Sequence, residues 1–145
     1  YLSPVLDMFN NEILSYSIST SPNFLQTKEM LKGLFEKLPK TARPLLHSDQ
    51  GWQYQMREFQ RVLKENNVTQ SMSRKGNCLD NGCAENFFGI LKSEMFYLKE
   101  KEYKNLEELE KDIIEYIEYY NNRRIKSKLK GMSPVQYRKH SYLVA

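Results

Sequence analysis

Hydrophobic positions change their period several times along this chain, and each change marks an element. Over residues 14–19 they recur at every second position. "YLSPVLD" and "EILSYSIS" read as the two arms of a β-hairpin joined at Phe9-Asn10-Asn11, where asparagine tolerates the positive φ of a tight turn. In the second arm Leu14, Tyr16 and Ile18 alternate with Ser15, Ser17 and Ser19, which predicts one buried apolar face and one wet serine face. After Ser21-Pro22, a helix-start signal, the period lengthens. Leu31, Leu34, Phe35 and Leu38 fall at i, i+3, i+4 and i+7, and Pro39 stops that helix. Pro44-Leu45-Leu46 then reads as a short buried strand that runs into His47-Ser48-Asp49 and breaks at Gly51.

A helix is predicted over residues 53–66, with Met56, Phe59 and Leu63 on one face and Asn66-Asn67 at its end; "VTQSMS" returns as a short strand. Residues 74–82, "RKGNCLDNG", lack apolar periodicity and read as a mobile loop, with Asp80 or Asn81 able to cap the next helix. That helix carries the stripe Ala84, Phe87, Phe88, Leu91, Met95 and Leu98. A further helix starts at Asn105, with Glu108 completing a capping box, and shows Leu106, Leu109, Ile113, Ile117 and Tyr120 on one side. The basic stretch "RRIKSKLK" follows, and Ser133-Pro134 opens a last short helical turn. Two strands, a helix, a strand, a helix, a strand and then helices make an α/β layer pattern with a small mixed sheet, in one domain spanning 1–145.

Composition narrows the setting. The 145 residues are 40% hydrophobic and 28% charged, with a net charge of +4 that mildly favours an anionic partner. The apolar runs fall far short of the roughly 20 residues a membrane span needs. No signal-peptide pattern opens the chain, and two cysteines do not make a disulfide framework, so a reduced, cytoplasmic setting is expected. The chain opens on Tyr1 and enters a strand almost at once, which suggests a fragment of something longer.

The candidate chemistry lies in two acids. Asp49 ends a strand, and Glu85 sits in the first turn of a helix with 35 residues between them, enough for a helix, a strand and a loop that return to the rim of the sheet. Neighbouring carboxylates repel unless a cation neutralises them. Hard oxygen ligands suit Mg²⁺ or Mn²⁺, and two such ions roughly 4 Å apart can drive in-line displacement at a phosphodiester. Lys92 falls two turns beyond Glu85 on the same helix face, where a cation can grip a DNA phosphate. Each residue alone also has an ordinary reading: a turn aspartate, a helix-dipole glutamate and a solvated lysine.

The combination is more specific. "HSDQGWQY", the glutamate within "SMSRKGNCLDNGCAENFFGILKSE", and "YIEYYNNRRIKSKLKGMSPVQY" occur in the order found in bacterial insertion-sequence transposases. The chain resembles the insertion-sequence-three-like family, whose core is retroviral-integrase-like, and the opening "YLSPVLDMFNNEILSYSIS" matches that family's second and third strands. The resemblance implies a ribonuclease-H-like fold and a DDE polynucleotidyl transferase using Mg²⁺ or Mn²⁺. It would act on transposon ends and target DNA, as a homo-oligomer in a synaptic complex, in the bacterial cytoplasm at the nucleoid. It matches Asp49 and Glu85 to catalytic, metal-holding positions and Lys92 to a DNA-contacting one.

One departure stands out. The family's first catalytic aspartate lies on a first, central strand, in a segment preceding the one that starts here. Asp7 matches a different position, at the far end of the second strand, and is not taken as that ligand. Without the central strand the hairpin and the Asp49 strand lose a shared backbone partner. Each unpaired buried amide costs about 1–3 kcal/mol, against a domain stability of about 5–15 kcal/mol. The expectation is therefore an incomplete enzyme, and the alternative is a non-catalytic DNA-binding or oligomerising remnant.

Further phosphate contacts are expected from Arg74 and Lys75 in the loop, and from Arg123, Arg124 and Lys126 at the head of the basic C-terminal segment, 123–145. The tyrosines at 116, 119 and 120 read as packing groups, and Trp52 either lines the site or packs. Zinc is not expected, because Cys78 and Cys83 are loosely spaced and no second ligand pair follows. Nor is Ser48 a nucleophile paired with His47, since neighbours in a strand point to opposite faces.

Overall fold

Alternation and asparagine place the hairpin where the sequence predicts it. In the computed structural model, which describes residues 1–74, 81–97 and 99–144, β1 (Leu2–Leu6) pairs with β2 (Ile13–Ile18). Asn11 adopts φ 58° in the connection, and the Asp7 carboxylate accepts the Phe9 amide at 2.9 Å. Asp7 is thus engaged as a turn residue.

The two faces of β2 are reversed relative to expectation. Ser15 and Ser17 are buried, whereas Leu14, Tyr16 and Ile18 are half-buried. Small side chains let a helix approach closely. Helix α1 (Phe24–Lys37) takes a hydrogen bond from Ser15 Oγ at the Met30 carbonyl (2.6 Å) and from Ser17 Oγ at the Gln26 carbonyl (2.7 Å). Both hydroxyls are therefore satisfied in a buried place, which removes the penalty that an unpaired one would carry. Gly33 faces Ser15, and a Cβ there would stand 2.6 Å from Ser15 Oγ. Gly33→Ala should cost about 1–3 kcal/mol of stability through overpacking, read as a lower urea midpoint. In a Ser15→Ala background, which deletes the obstructing atom, most of that penalty should vanish. An equal penalty in both backgrounds would show that the contact does not limit the helix.

The structure divides into two compact units. The first comprises Tyr1–Val5 and Leu14–Ala84. Its core gathers Val5, Met30, Leu31, Leu34, Phe59, Leu63 and Val68, with Leu14, Phe35, Leu38 and Leu46 packed against them. Asn23 caps α1 by accepting the Gln26 amide. Strand β3 (Leu45–Ser48) runs parallel to β4 (Thr69–Met72), with Leu45 opposite Thr69 and Ser48 opposite Met72. Between them lie two helices where one was predicted: α2 (Trp52–Gln55) and α3 (Arg57–Glu65), separated at Met56, whose ψ of 137° is extended. The first is tied to the turn after β3, since the Gly51 carbonyl accepts the Tyr54 amide and the Gln50 carbonyl accepts from Gln55 Nε2. The second must aim Phe59 and Leu63 into the core, and the extended residue allows both alignments. Asn67, at φ 58°, returns the chain to β4.

The strands make two two-stranded sheets instead of one continuous mixed sheet, so the hairpin and β3 do not pair with each other. The family resemblance places its first strand between these two.

The second unit comprises Leu6–Ile13 and Glu85–Ala145. Helix α4 (Gly82–Leu91) continues into a π-helical turn, Lys92–Phe96, and buries Phe87, Leu91 and Met95. Leu98, the last residue of the predicted stripe, lies outside the described residues, as do Asp80 and most of the predicted loop. Helix α5 (Leu106–Asn122) buries Tyr116, Ile117 and Tyr120, and the Phe87 ring meets Tyr120 edge-on at 5.1 Å. Its predicted capping box forms by half. Asn105 accepts the Glu108 amide, but the Glu108 carboxylate takes the Lys104 amide instead of returning to Asn105. The last predicted turn is a ten-residue helix, α6 (Pro134–Leu143), started by a complete box in which Ser133 and Gln136 each hold the other's amide.

Three side chains fasten the hairpin's turn within this unit. Asn10 Nδ2 donates to the Pro134 carbonyl at 2.9 Å, and Arg138 reaches both oxygens of Glu12 at 2.7 and 3.1 Å. Asn121 accepts the Ile13 amide at 2.8 Å and donates to the Ile13 carbonyl at 3.0 Å, standing where a neighbouring strand's peptide would.

Candidate metal and nucleic-acid site

Asp49 emerges at the carboxyl end of β3, exposed. Its Oδ1 accepts the Gly51 amide at 2.8 Å, which fixes the carboxylate while Oδ2 has no hydrogen-bond partner among the described residues. Gly51 leaves room for this arrangement: a Cβ would stand 2.9 Å from Asp49 Oδ1 and 2.8 Å from Gln53 Nε2, and those side chains would have to shift. Tyr54, one turn on, is pushed up in pKa, mostly by burial; the Gln53 side chain pulls it back and the Asp49 charge adds to the rise. Trp52 is 55% exposed beside this turn, so it is not a core residue. His47 bonds Ser71 through Nδ1 and Ser48 Oγ donates to the Asp49 carbonyl, so His47 and Ser48 are not paired with each other.

Glu85 occupies the first turn of α4, where the amide end of the helix favours a negative charge. It is exposed and carries no ion pair or hydrogen bond among the described residues. Lys92 is exposed on the same face two turns later, at the start of the π-helical turn, and is likewise unpaired among the described residues. Asp49 belongs to the first unit and Glu85 to the second. The donor chemistry suits a hard divalent ion, since magnesium takes one or two carboxylates and completes its sphere with water and substrate phosphate. Among the described residues no group of three or more His, Cys, Asp or Glu is placed to hold a metal ion.

The basic residues part into two groups. Arg123 is exposed at the end of α5, and Arg74 is exposed after β4; Lys75 and Cys78 lie outside the described residues. Arg124 instead makes a bidentate pair with Glu94, with contacts at 2.6, 2.8 and 3.0 Å. Lys126 bonds the Tyr120 hydroxyl at 2.5 Å and lies 4.4 Å from the centre of its ring. Glu94 was not singled out by sequence, and nothing local could signal a partner 30 residues away. The same holds for Glu12 with Arg138 and for Asn121 with Ile13.

Tyr116 donates to Glu94 at 2.8 Å, so that carboxylate joins α5 and the basic stretch to the π-helical turn. The Arg124 guanidinium holds Glu94 below its ordinary value of 4.5; partial burial opposes this and the Tyr116 hydroxyl assists it. Burial, followed by its bond to Glu94, raises Tyr116. A carboxylate lowered in the folded state adds stability that is complete above its unfolded value and disappears as pH falls through the folded one. Unfolding midpoints should therefore drop as pH falls below about 4.5, and Glu94→Gln should flatten that slope. An identical slope in both proteins would remove Glu94 from the acid response.

Residues 1–78 match the integrase core domain, and residues 85–142 match a second model of an integrase core domain. The chain belongs to the integrase core family. Relatives of this integrase core include the protein assigned as transposase InsK of insertion sequence element IS150 from Escherichia coli K12, 57% identical over 99% of this chain and 50% of that protein. A transposase-like protein of Haemophilus influenzae is 56% identical over 97% of the chain and 64% of its own length. The chain thus spans between half and two-thirds of these two relatives.

Solved structures carry the same fold. The catalytic core domain of BIV integrase superposes with a TM-score of 0.72 at 15% identity, over 98% of this chain and 88% of that one. The HTLV-2 integrase catalytic core domain, solved in complex with magnesium as a trimeric form, gives 0.68 at 18% identity, over 91% and 80%. The architecture is accordingly the ribonuclease-H-like α/β fold of integrase cores, as the motifs imply. No helix among the described residues is long and apolar enough to cross a membrane.

Proposed function

We propose that this integrase core is the catalytic part of a DDE transposase, cutting DNA at transposon ends and joining the freed 3′ hydroxyl to a second phosphodiester. One observation carries the reading: the motif carboxylates Asp49 and Glu85 both stand exposed with no ion pair among the described residues, while Glu12 and Glu94 are paired to arginine. Bound Mg²⁺ or Mn²⁺ supplies activation of the attacking oxygen and charge stabilisation at the leaving one. Asp49, pinned by the Gly51 amide, and Glu85, set by the first turn of α4, are the ligands this chain contributes. In the family's pattern a third ligand lies on a further strand, one that would pair between the hairpin and β3, which do not pair with each other among the described residues.

Lys92, Arg74, Lys75 and Arg123 are the phosphate contacts in this reading, sequence-independent and weakened by salt. Arg124 and Lys126 would first have to release Glu94 and Tyr120, so they rank behind Lys92 and Arg123. The partners are transposon-end and target DNA and further copies of the same protein in a synaptic complex, acting in the cytoplasm at the nucleoid.

A rival reading, a non-catalytic DNA-binding or oligomerising remnant, is favoured by the absence of a three-ligand cluster among the described residues. The deciding experiment is Mn²⁺-dependent cleavage and strand transfer on duplexes ending in terminal inverted repeats, with the family's upstream strand supplied in frame. Joined products support the catalytic reading. Binding and assembly without joined products support the remnant, and neither binding nor joining overturns both.

A further inference from the structure

Glycine at position 89 has no structural explanation of the kind that Gly33 and Gly51 have. It lies inside α4, where glycine is the costlier choice over alanine. It is exposed, and a Cβ added to it would meet nothing within 4 Å among the described residues. Its φ is not in the left-handed region. Neither packing nor backbone geometry therefore calls for it. The Ser93 hydroxyl does donate to the Gly89 carbonyl at 2.9 Å, just where the helix widens into its π-helical turn. Any residue would offer that carbonyl, so this bond does not select glycine either.

Position matters more. Gly89 follows Glu85 by four residues and precedes Lys92 by three, so it lies between them on one face of the helix. We infer that Gly89 is a clearance position for nucleic acid: with no side chain between Glu85 and Lys92, a phosphodiester backbone can lie against α4 within reach of the Lys92 ammonium. This rests on the DNA-facing role of α4 proposed above, and names a further residue that sets how closely the substrate approaches. A side chain at 89 would act as a spacer, holding the strand off the helix and lengthening the reach required of Lys92.

The test compares Gly89→Ala, Gly89→Met and Lys92→Ala with the unaltered chain, by fluorescence anisotropy on a short labelled duplex at low salt, alongside thermal melting. Both Gly89 variants should melt about 2–5 °C higher, because each favours the helix. Their affinity should nevertheless fall with side-chain size, about threefold for alanine and at least about tenfold for methionine, as a phosphate contact is forced apart. Lys92→Ala should weaken binding and reduce its salt dependence. If the unaltered chain does not bind duplex, or Lys92→Ala changes nothing, the DNA-facing role of α4 fails and the clearance role fails with it. If Lys92→Ala weakens binding while Gly89→Met binds normally, the clearance role alone is overturned. A lower melting point accompanying the lost affinity would assign Gly89 a structural role and overturn it equally.

Discussion

Asp49→Asn and Glu85→Gln should each lower Mn²⁺-dependent strand transfer by at least about 100-fold, the scale of several kcal/mol expected when a metal-holding carboxylate is neutralised. Melting should hardly change. Asparagine keeps an oxygen able to accept the Gly51 amide, the bond that positions Asp49, and glutamine keeps the length of Glu85 on an exposed helical turn. Removing a negative charge should leave DNA binding intact or tighten it. The pattern to look for is therefore lost chemistry with retained binding and retained fold. Asp49→Ala would be a poorer test, because it deletes the turn bond together with the charge. Near-normal transfer in either amide variant would remove that residue from the metal site and, with it, the central claim for this chain.

Phe87→Ala should be the most damaging single change in the second unit, costing about 3–5 kcal/mol. Phe87 is fully buried, with its ring edge-on to Tyr120 at 5.1 Å and 5.6 Å from Phe88. It is also the anchor on the inner side of α4, opposite the face that presents Glu85 and Lys92. A loss of that size is a large share of a typical domain's stability, so transfer activity should fall even though no charged group has changed. Phe87→Leu, which keeps most of the buried volume, should cost much less, within about 1.5 kcal/mol. Urea unfolding with an unchanged slope would check both values. A cost below about 1 kcal/mol for alanine would mean that α4 is held by other contacts.

How far these sites can be read from sequence depends on whether the determining partner is local. The hairpin turn at Asn11, the cap at Asn105, the helix start at Ser133-Pro134 and the acids at a strand end and a helix start all depend on neighbours within a few residues, and each appears where the pattern puts it. The faces of β2 do not. Alternation separates serine from apolar positions correctly, but which set is covered depends on Gly33, 18 residues beyond Ser15, admitting the helix to the serine side. The split at Met56 has the same origin, since two ends of one predicted helix answer to different parts of the unit. Arg124 and Lys126 look like free cations in a basic run because Glu94 and Tyr120 are distant in the chain. Charge density in a sequence counts cations without saying which have already been used.

Asn121 has a consequence for solubility. A β-strand ending in open amides and carbonyls is a template on which a second chain can build. By occupying both polar groups of Ile13, one carboxamide from α5 closes that rung to intruders. At Ile13, then, another copy finds no open backbone group on which to extend the hairpin.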